Sequence, residues 1–149
     1  MKKPVLVSAA LALGLLAAMG GSALAQSAYI ANEVDNNVSV INIASNTVIK
    51  TIPVGVNPFA VAVSPDFTKA YVTNGYPGPG GNSVSVISTA TNTVIATITV
   101  GSSPNGVAVT PDNSKVYVAN GSSNTVSVIV TATNSVIATI PVGSTPNGS

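Results

Sequence analysis

The sequence predicts an all-β fold made of β-propeller blades, and three observations carry that prediction. The stretch from Val107 to Val142 is written almost three times along the chain, with tyrosines at Tyr29, Tyr71 and Tyr117 separated by 42 and then 46 residues. Each copy holds four short apolar runs divided by turn-forming residues, and four strands per repeat at a fixed period of about 40 to 50 residues describe a propeller blade. Finally, charged residues make up only 6% of the chain while Val, Ile, Thr, Ser and Asn abound. That composition suits sheets covered on both faces rather than a disordered segment.

The elements follow in order. The first repeat opens at Ala28-Tyr-Ile-Ala-Asn32, crosses a polar loop from Glu33 to Asn37, continues through Val38 to Asn42, turns at Ala44-Ser45-Asn46 and ends along Thr47 to Val54. The second runs Phe59 to Val63, Ala70 to Asn74, Ser83 to Ile87 and Thr93 to Val100; the third repeats this order from Gly106. All these runs are four to eight residues of Val, Ile, Thr and Tyr bounded by Gly, Pro, Asn and Asp, the pattern of short strands between tight turns. Pro65-Asp66 and Pro111-Asp112 set one turn, since Pro fixes φ and the Asp carboxylate bonds to the local backbone. Val94, Ala96, Ile98 and Val100 alternate with Ile95, Thr97 and Thr99, so one side of that strand is expected to be wholly apolar. The four extra residues of the second repeat sit in the loop Tyr76-Pro-Gly-Pro-Gly-Gly81.

Tyr71-Val-Thr-Asn74, set within Ala62-Val-Ser-Pro-Asp66, Ser83-Val-Ser-Val-Ile87 and Ala90-Thr-Asn-Thr-Val-Ile-Ala-Thr-Ile98, resembles the YVTN family of β-propeller repeats. The other copies vary it as Tyr29-Ile-Ala-Asn32 and Tyr117-Val-Ala-Asn120, and the match covers nearly all of residues 28 to 148. WD40 and kelch repeats fit less well, since Trp and His are absent. The resemblance implies a secreted, periplasmic or surface-layer propeller, commonly of seven blades, in a family whose biochemical role is mostly undefined.

Residues 1–25 read as a secretory signal peptide. Lys2-Lys3 precede the apolar run Val5 to Met19, which gives way to small residues ending Ala23-Leu24-Ala25, and cleavage is expected between Ala25 and Gln26. The apolar core is shorter than the roughly 20 residues a spanning helix needs. Residues 26–149 are therefore expected to be free of the membrane and periplasmic or secreted. They divide into a partial blade over 28–54, full blades over 57–100 and 103–142, and the start of another over 143–149. If the Val107-type run is the innermost strand, the first blade lacks it, giving eleven strands, or about 2.75 blades. Propellers close with roughly 4 to 8 blades, so the ring is incomplete. The expected partners are further blades, supplied by a second copy of the chain or by the rest of a longer protein.

Composition removes many chemistries. Cys and His are absent, so the usual zinc, haem and iron–sulfur ligands and any Cys–His or Ser–His nucleophile pair are missing; no metal or other cofactor is expected. The formal charge of +1 becomes −1 once Lys2 and Lys3 are removed, which leaves no basic footprint for nucleic acid.

Because consecutive strands run antiparallel, the loops after the second and fourth strands of each blade share one face. That face collects Glu33, Asp35, Asn36, Asn37, Asn57, Asn82, Asn105 and Asn147, together with the Pro-Gly insertion. It is the expected ligand face, with Glu33, Asp35, Asn36, Asn57, Asn82 and Asn105 as candidate contacts, because variable loops on a rigid scaffold commonly carry binding. Glu33 to Asn37 offers oxygens for Ca²⁺ but lacks the spacing of a calcium loop. The opposite face collects Asp66, Lys69, Asp112 and Lys115, the lysines reading as edge charges that discourage sheet-to-sheet association. The tyrosines read as packing residues with a hydroxyl handle. Asn37, Asn120 and Asn147 match the glycosylation pattern, as chance allows in so Asn- and Ser-rich a chain.

The expected function is an extracytoplasmic binding or scaffold module without catalysis of its own. Two alternatives stand beside it: a piece of a lactonase-like or quinoprotein-like propeller enzyme whose site lies in other blades, and a surface-layer or adhesion repeat.

Overall fold

A computed structural model of the chain describes residues 8–12, 27–75 and 81–148. Twelve strands among them form three four-stranded antiparallel sheets, and each sheet is one blade. The first blade contains β1 (Ser8–Ala12), β2 (Ser27–Asn32), β3 (Asn37–Asn42) and β4 (Thr47–Pro53). The second contains β5 (Pro58–Val63), β6 (Lys69–Asn74), β7 (Ser83–Ser88) and β8 (Thr93–Thr99). The third contains β9 (Pro104–Val109), β10 (Lys115–Asn120), β11 (Thr125–Val130) and β12 (Ser135–Pro141). The inner strand β5 lies against β1 and β9, while the outer strands β4, β8 and β12 splay apart. That is how blades fan around an axis.

The expectation of eleven strands is corrected to twelve. Within the stretch read as a signal peptide, Ser8–Ala12 pairs with β2, placing Ser8 opposite Ala31 and Ala10 opposite Tyr29. In the third blade Gly106 faces Ala119 and Ala108 faces Tyr117, so β1 occupies the inner-strand slot in the register of the repeat. The physical reason is the edge of β2: without a neighbour its N–H and C=O groups lack partners, and any extended small-residue segment within reach satisfies them. The expected cleavage position, Ala25 and Gln26, lies outside the described residues, as does most of the Pro-Gly insertion.

Asn residues make the turns. Asn46, Asn92 and Asn134 close the hairpins between third and fourth strands with φ of 53, 51 and 52°, a left-handed conformation that Asn tolerates better than most residues. In the second-blade counterpart of the Asn113 turn, Phe67 adopts a φ of 58°.

A bulge recurs in every outer strand. Pairing shifts between Val40 and Ile41, between Val86 and Ile87, and between Val128 and Ile129, leaving Ile49, Ile95 and Ile137 as the extra residues, 49%, 50% and 56% exposed. The expectation of one apolar side on β8 is thereby corrected. Val94 packs with the first blade, whereas Ala96, Ile98 and Val100 pack with the third, because the bulge reverses the alternation beyond it.

The core consists of two blade junctions. The first joins Tyr29, Val38, Val40 and Ile52 to Val61, Ala70, Val72 and Ile87. The second joins Tyr71, Val84, Val86 and Ile98 to Val116, Val118 and Ile129.

Candidate functional site

The two junctions are held by different side-chain polar contacts. Tyr29 donates its hydroxyl hydrogen to Asn92 Oδ1 at 2.8 Å, across 63 residues. Tyr71 and Asn134 stand at the same spacing one blade on, but the Tyr71 hydroxyl and Asn134 Oδ1, both buried atoms, have no hydrogen-bond partner. Burial and the charge of Asp66 push the Tyr71 phenol up to about 12. Lys69 Nζ donates to the Thr131 carbonyl at 2.7 Å, and Asn113 Nδ2 donates to Asp66 Oδ2 at 2.7 Å. Lys69 was expected as an edge charge; it instead ties two blades together, because the edge of one blade is wall to the next.

Asn74 and Asn120 are wholly buried. Asn120 Nδ2 donates to Ser127 Oγ at 2.9 Å and Thr125 Oγ1 at 3.1 Å; Asn74 Nδ2 donates to Ser85 Oγ at 3.0 Å and Ser83 Oγ at 3.2 Å. A Cβ on Gly55 would stand 2.7 Å from Asn74 Cγ, and one on Gly101 2.7 Å from Asn120 Cγ. Glycine is required there because a neighbouring blade's asparagine fills the space a side chain would need.

Asp66 and Asp112, on the face opposite the expected ligand face, are absorbed by turns. Asp112 Oδ1 accepts from Thr110 Oγ1 at 2.6 Å, Ser114 N at 3.0 Å and Ser114 Oγ at 2.8 Å, and the Thr110 hydroxyl, with the Ser114 bonds, holds its carboxyl down at about 2. Asp66 sits in the same geometry. Partial burial opposes its ionisation, but bonds from Ser64 and Thr68 outweigh this and lower its pKa.

On the expected ligand face the six expected contacts divide. Asn36 Oδ1 accepts from the Asn57 amide at 2.8 Å, and the Asn36 carbonyl accepts from Val54 N at 3.0 Å. Asn124 repeats this with Thr145 N at 2.8 Å and Val142 N at 3.0 Å, and the Asn82 carbonyl accepts from Val100 N at 2.7 Å. Asn36, Asn57 and Asn82 therefore fasten the link between blades. Asn37 Oδ1 accepts from Asn32 Nδ2 at 2.7 Å, so the Glu33–Asn37 loop spends two of its side-chain oxygens on the protein. Glu33 and exposed Asp35 stay at the loop tip.

Asn105 alone of the six lines the described cavity, a space of about 590 Å³ formed with Gly121, Ser122, Asn124, Ser144, Thr145 and Asn147. Asn105 is 5% exposed, and its Oδ1 is buried without a hydrogen-bond partner. Every lining residue is uncharged, and all but Gly121 carry a hydroxyl or amide side chain. Such a wall is matched to a neutral ligand with many hydroxyl or amide groups. Ser122 and Asn124 were missed at the sequence level because they look like ordinary turn residues; their proximity to Asn105 appears only once the strands are paired.

Three antiparallel four-stranded sheets fanned around an axis define part of a β-propeller. Solved structures agree. The chain superposes on Kuenenia stuttgartiensis hydrazine synthase with a TM-score of 0.74 and 28% identity, over 80% of this chain and 34% of that one. It is similar to a protein from Bacteroides fragilis described as a candidate 6-phosphogluconolactonase (TM-score 0.68, 23% identity, 80% and 37% of the chains). It is similar also to the dihydro-heme d1 dehydrogenase NirN (0.72, 16%, 83% and 27%). The chain thus spans about a third of the length of these structures. No protein-family model matches it, and no curated protein does.

Proposed function

We propose that the chain is a YVTN-type, extracytoplasmic β-propeller module that binds a neutral, hydroxyl-rich ligand such as a saccharide on its loop face, without catalysis of its own. The observation that carries this reading is the uncharged polar cavity around Asn105, with a buried side-chain oxygen that lacks a partner. The absence of catalysis is supported by the acids of the face opposite the expected ligand face: Asp66 and Asp112 spend their oxygens on turns, and Tyr71, its pKa raised to about 12, stays protonated. The extracytoplasmic location is supported by the leader pattern of residues 1–25.

Isothermal titration with a panel of neutral di- and trisaccharides, beside uronic acids and nucleotides as charged comparators, tests the binding reading. A neutral sugar should bind, and Asn105→Ala should weaken it at least tenfold. Failure of every neutral sugar, or binding indifferent to Asn105→Ala, would refute the site. A second reading, part of a propeller enzyme whose site lies in other blades, is favoured by enzyme names among longer structures of which this chain covers about a third.

A further inference from the structure

The loop that carries Gly121 is fastened to the linker in front of β9. Gly121 N donates to the Ser103 carbonyl at 2.9 Å, and Ser122 N to the Ser102 carbonyl at 3.2 Å. Ser102 N in turn donates to Ser123 Oγ at 2.6 Å, and Ser122 Oγ to Ser103 Oγ at 2.8 Å. Bonds in both directions hold this part of the cavity wall still, as a binding site carried on loops requires. Asn105 is placed by other means. The pairing of β9 with β10 slips, so that Gly106 faces Ala119 and Pro104 faces Asn120 while Asn105 between them has no opposite residue. A bulge of this kind re-aims the side chain of its extra residue. No hydrogen bond holds Asn105 Oδ1. Contact sets the amide instead, since a Cβ on Gly121 would stand 2.8 Å from Asn105 Nδ2. The bare α-carbon of Gly121 is the surface on which that amide lies.

We propose that Gly121 is the positioning residue of the cavity: its missing side chain seats the Asn105 amide, and the seat, fixed through Ser102 and Ser103, sets where that amide meets a neutral, hydroxyl-rich ligand. Its part in binding rests on the reading of the cavity as a ligand site. The second blade shows what the seat requires. Gly75 holds the place of Gly121 there, and its N–H donates to the Asn57 carbonyl at 3.0 Å as that of Gly121 does to Ser103. A Cβ on Gly75, however, would run into the Gly81 backbone, so the inserted loop closes over the glycine and fills the space. The third blade carries no insertion, and the same space is left to Asn105. Alanine at position 121 probes this cleanly. Among the described glycines only Gly75 has a positive φ, so the substitution meets no backbone strain. The new methyl would crowd one atom, Asn105 Nδ2, the free end of a side chain; the next contacts, Ser103 O at 3.4 Å and Asn105 Cγ at 3.6 Å, are ordinary. Relief from 2.8 Å to the roughly 3.5 Å of a favourable contact moves the amide nitrogen by about 0.7 Å off its seat. That exceeds the roughly 0.5 Å within which a binding group must be held.

The test is two-dimensional proton–nitrogen NMR on the full chain, with the Asn105 side-chain amide pair identified by its loss in Asn105→Ala, beside titration with the neutral di- and trisaccharides. Gly121→Ala should shift that pair while the backbone signals of β9 and β10 away from the loop stay in place. Its melting temperature should remain within about 3 °C of the parent. Sugar binding should weaken about five- to tenfold, and in the Asn105→Ala background the same substitution should cost nothing further. An amide pair that does not move, or a melting temperature lowered by more than about 3 °C, would overturn the proposal, because the glycine would then serve the backbone and not the amide. A further loss of binding in the Asn105→Ala background would overturn it too. If no neutral sugar binds the parent, the ligand reading fails, and the amide shift still decides whether Gly121 seats Asn105.

Discussion

Gly101→Ala is the sharpest probe of how the blades are locked. The new methyl carbon would lie 2.7 Å from Asn120 Cγ and 2.8 Å from its Cβ and Nδ2, where carbon contacts are most favourable at about 3.5–4.0 Å. Asn120 has no room to yield, being wholly buried and tied through Nδ2 to Ser127 and Thr125. Relief therefore requires that the blades separate, at about 1–3 kcal/mol for overpacking, or that the amide leave its partners, at about 1–3 kcal/mol. Either way a cost of about 1–3 kcal/mol is a large share of the roughly 5–15 kcal/mol that holds a domain together. It should lower the melting temperature by roughly 3–10 °C. Urea unfolding followed by circular dichroism measures it, and Gly143→Ala, with open space around it, serves as the control. That control should stay within about 0.5 kcal/mol of the parent. If Gly101→Ala also stays within about 0.5 kcal/mol, the wedge of asparagine against glycine does not lock the blades.

Other outcomes follow from the same contacts. Tyr29→Phe should cost about 1 kcal/mol through loss of its bond to Asn92, whereas Tyr71→Phe, whose hydroxyl is buried without a partner, should be neutral or slightly stabilising; parallel melts decide this. Asp112 has a folded-state pKa of about 2, below its ordinary 3.8, so its contribution is present above pH 4 or so and is lost as pH falls through about 2. Asp112→Asn should flatten the acid limb of the stability profile in that window, read by melts between pH 5 and 2. Asn36→Ala removes the acceptor for Asn57 N and places alanine at a φ of 55°; a loss of about 1–2 kcal/mol is expected in urea unfolding.

The strands were legible because each is bounded by residues that can do little else. Asn46, Asn92 and Asn134 end one run and begin the next, and the observed boundaries of β2 to β12 fall within about two residues of those read from the sequence. The bulges at Ile49, Ile95 and Ile137 were not legible, since an isoleucine at a bulge looks like any strand isoleucine and only the partner strand reveals the extra residue. Lys69 misled for a related reason: a lysine at a strand start protects an open edge or crosses to a carbonyl next door, and the neighbour decides which. The candidate site was half legible. The loop face follows from strand direction, but Asn36 and Asn82 share it with Asn105 and look no different; burial and pairing distinguish fasteners from cavity wall. Inner strand β1 was hidden because a run of Ala and Leu suits a leader and a strand alike.

That strand sets a race during biogenesis. On the reading of residues 1–25 as an export leader, Ser8–Ala12 must be extended and free when the export machinery meets it, yet the same residues complete the first sheet. A chain that folds before it is handed over has knitted its own address into the structure. On that reading, the address stays readable only while β1 has not paired with β2. On the same reading, removal of residues 1–25 would empty the slot beside β2 and leave the first blade with an edge open to another strand.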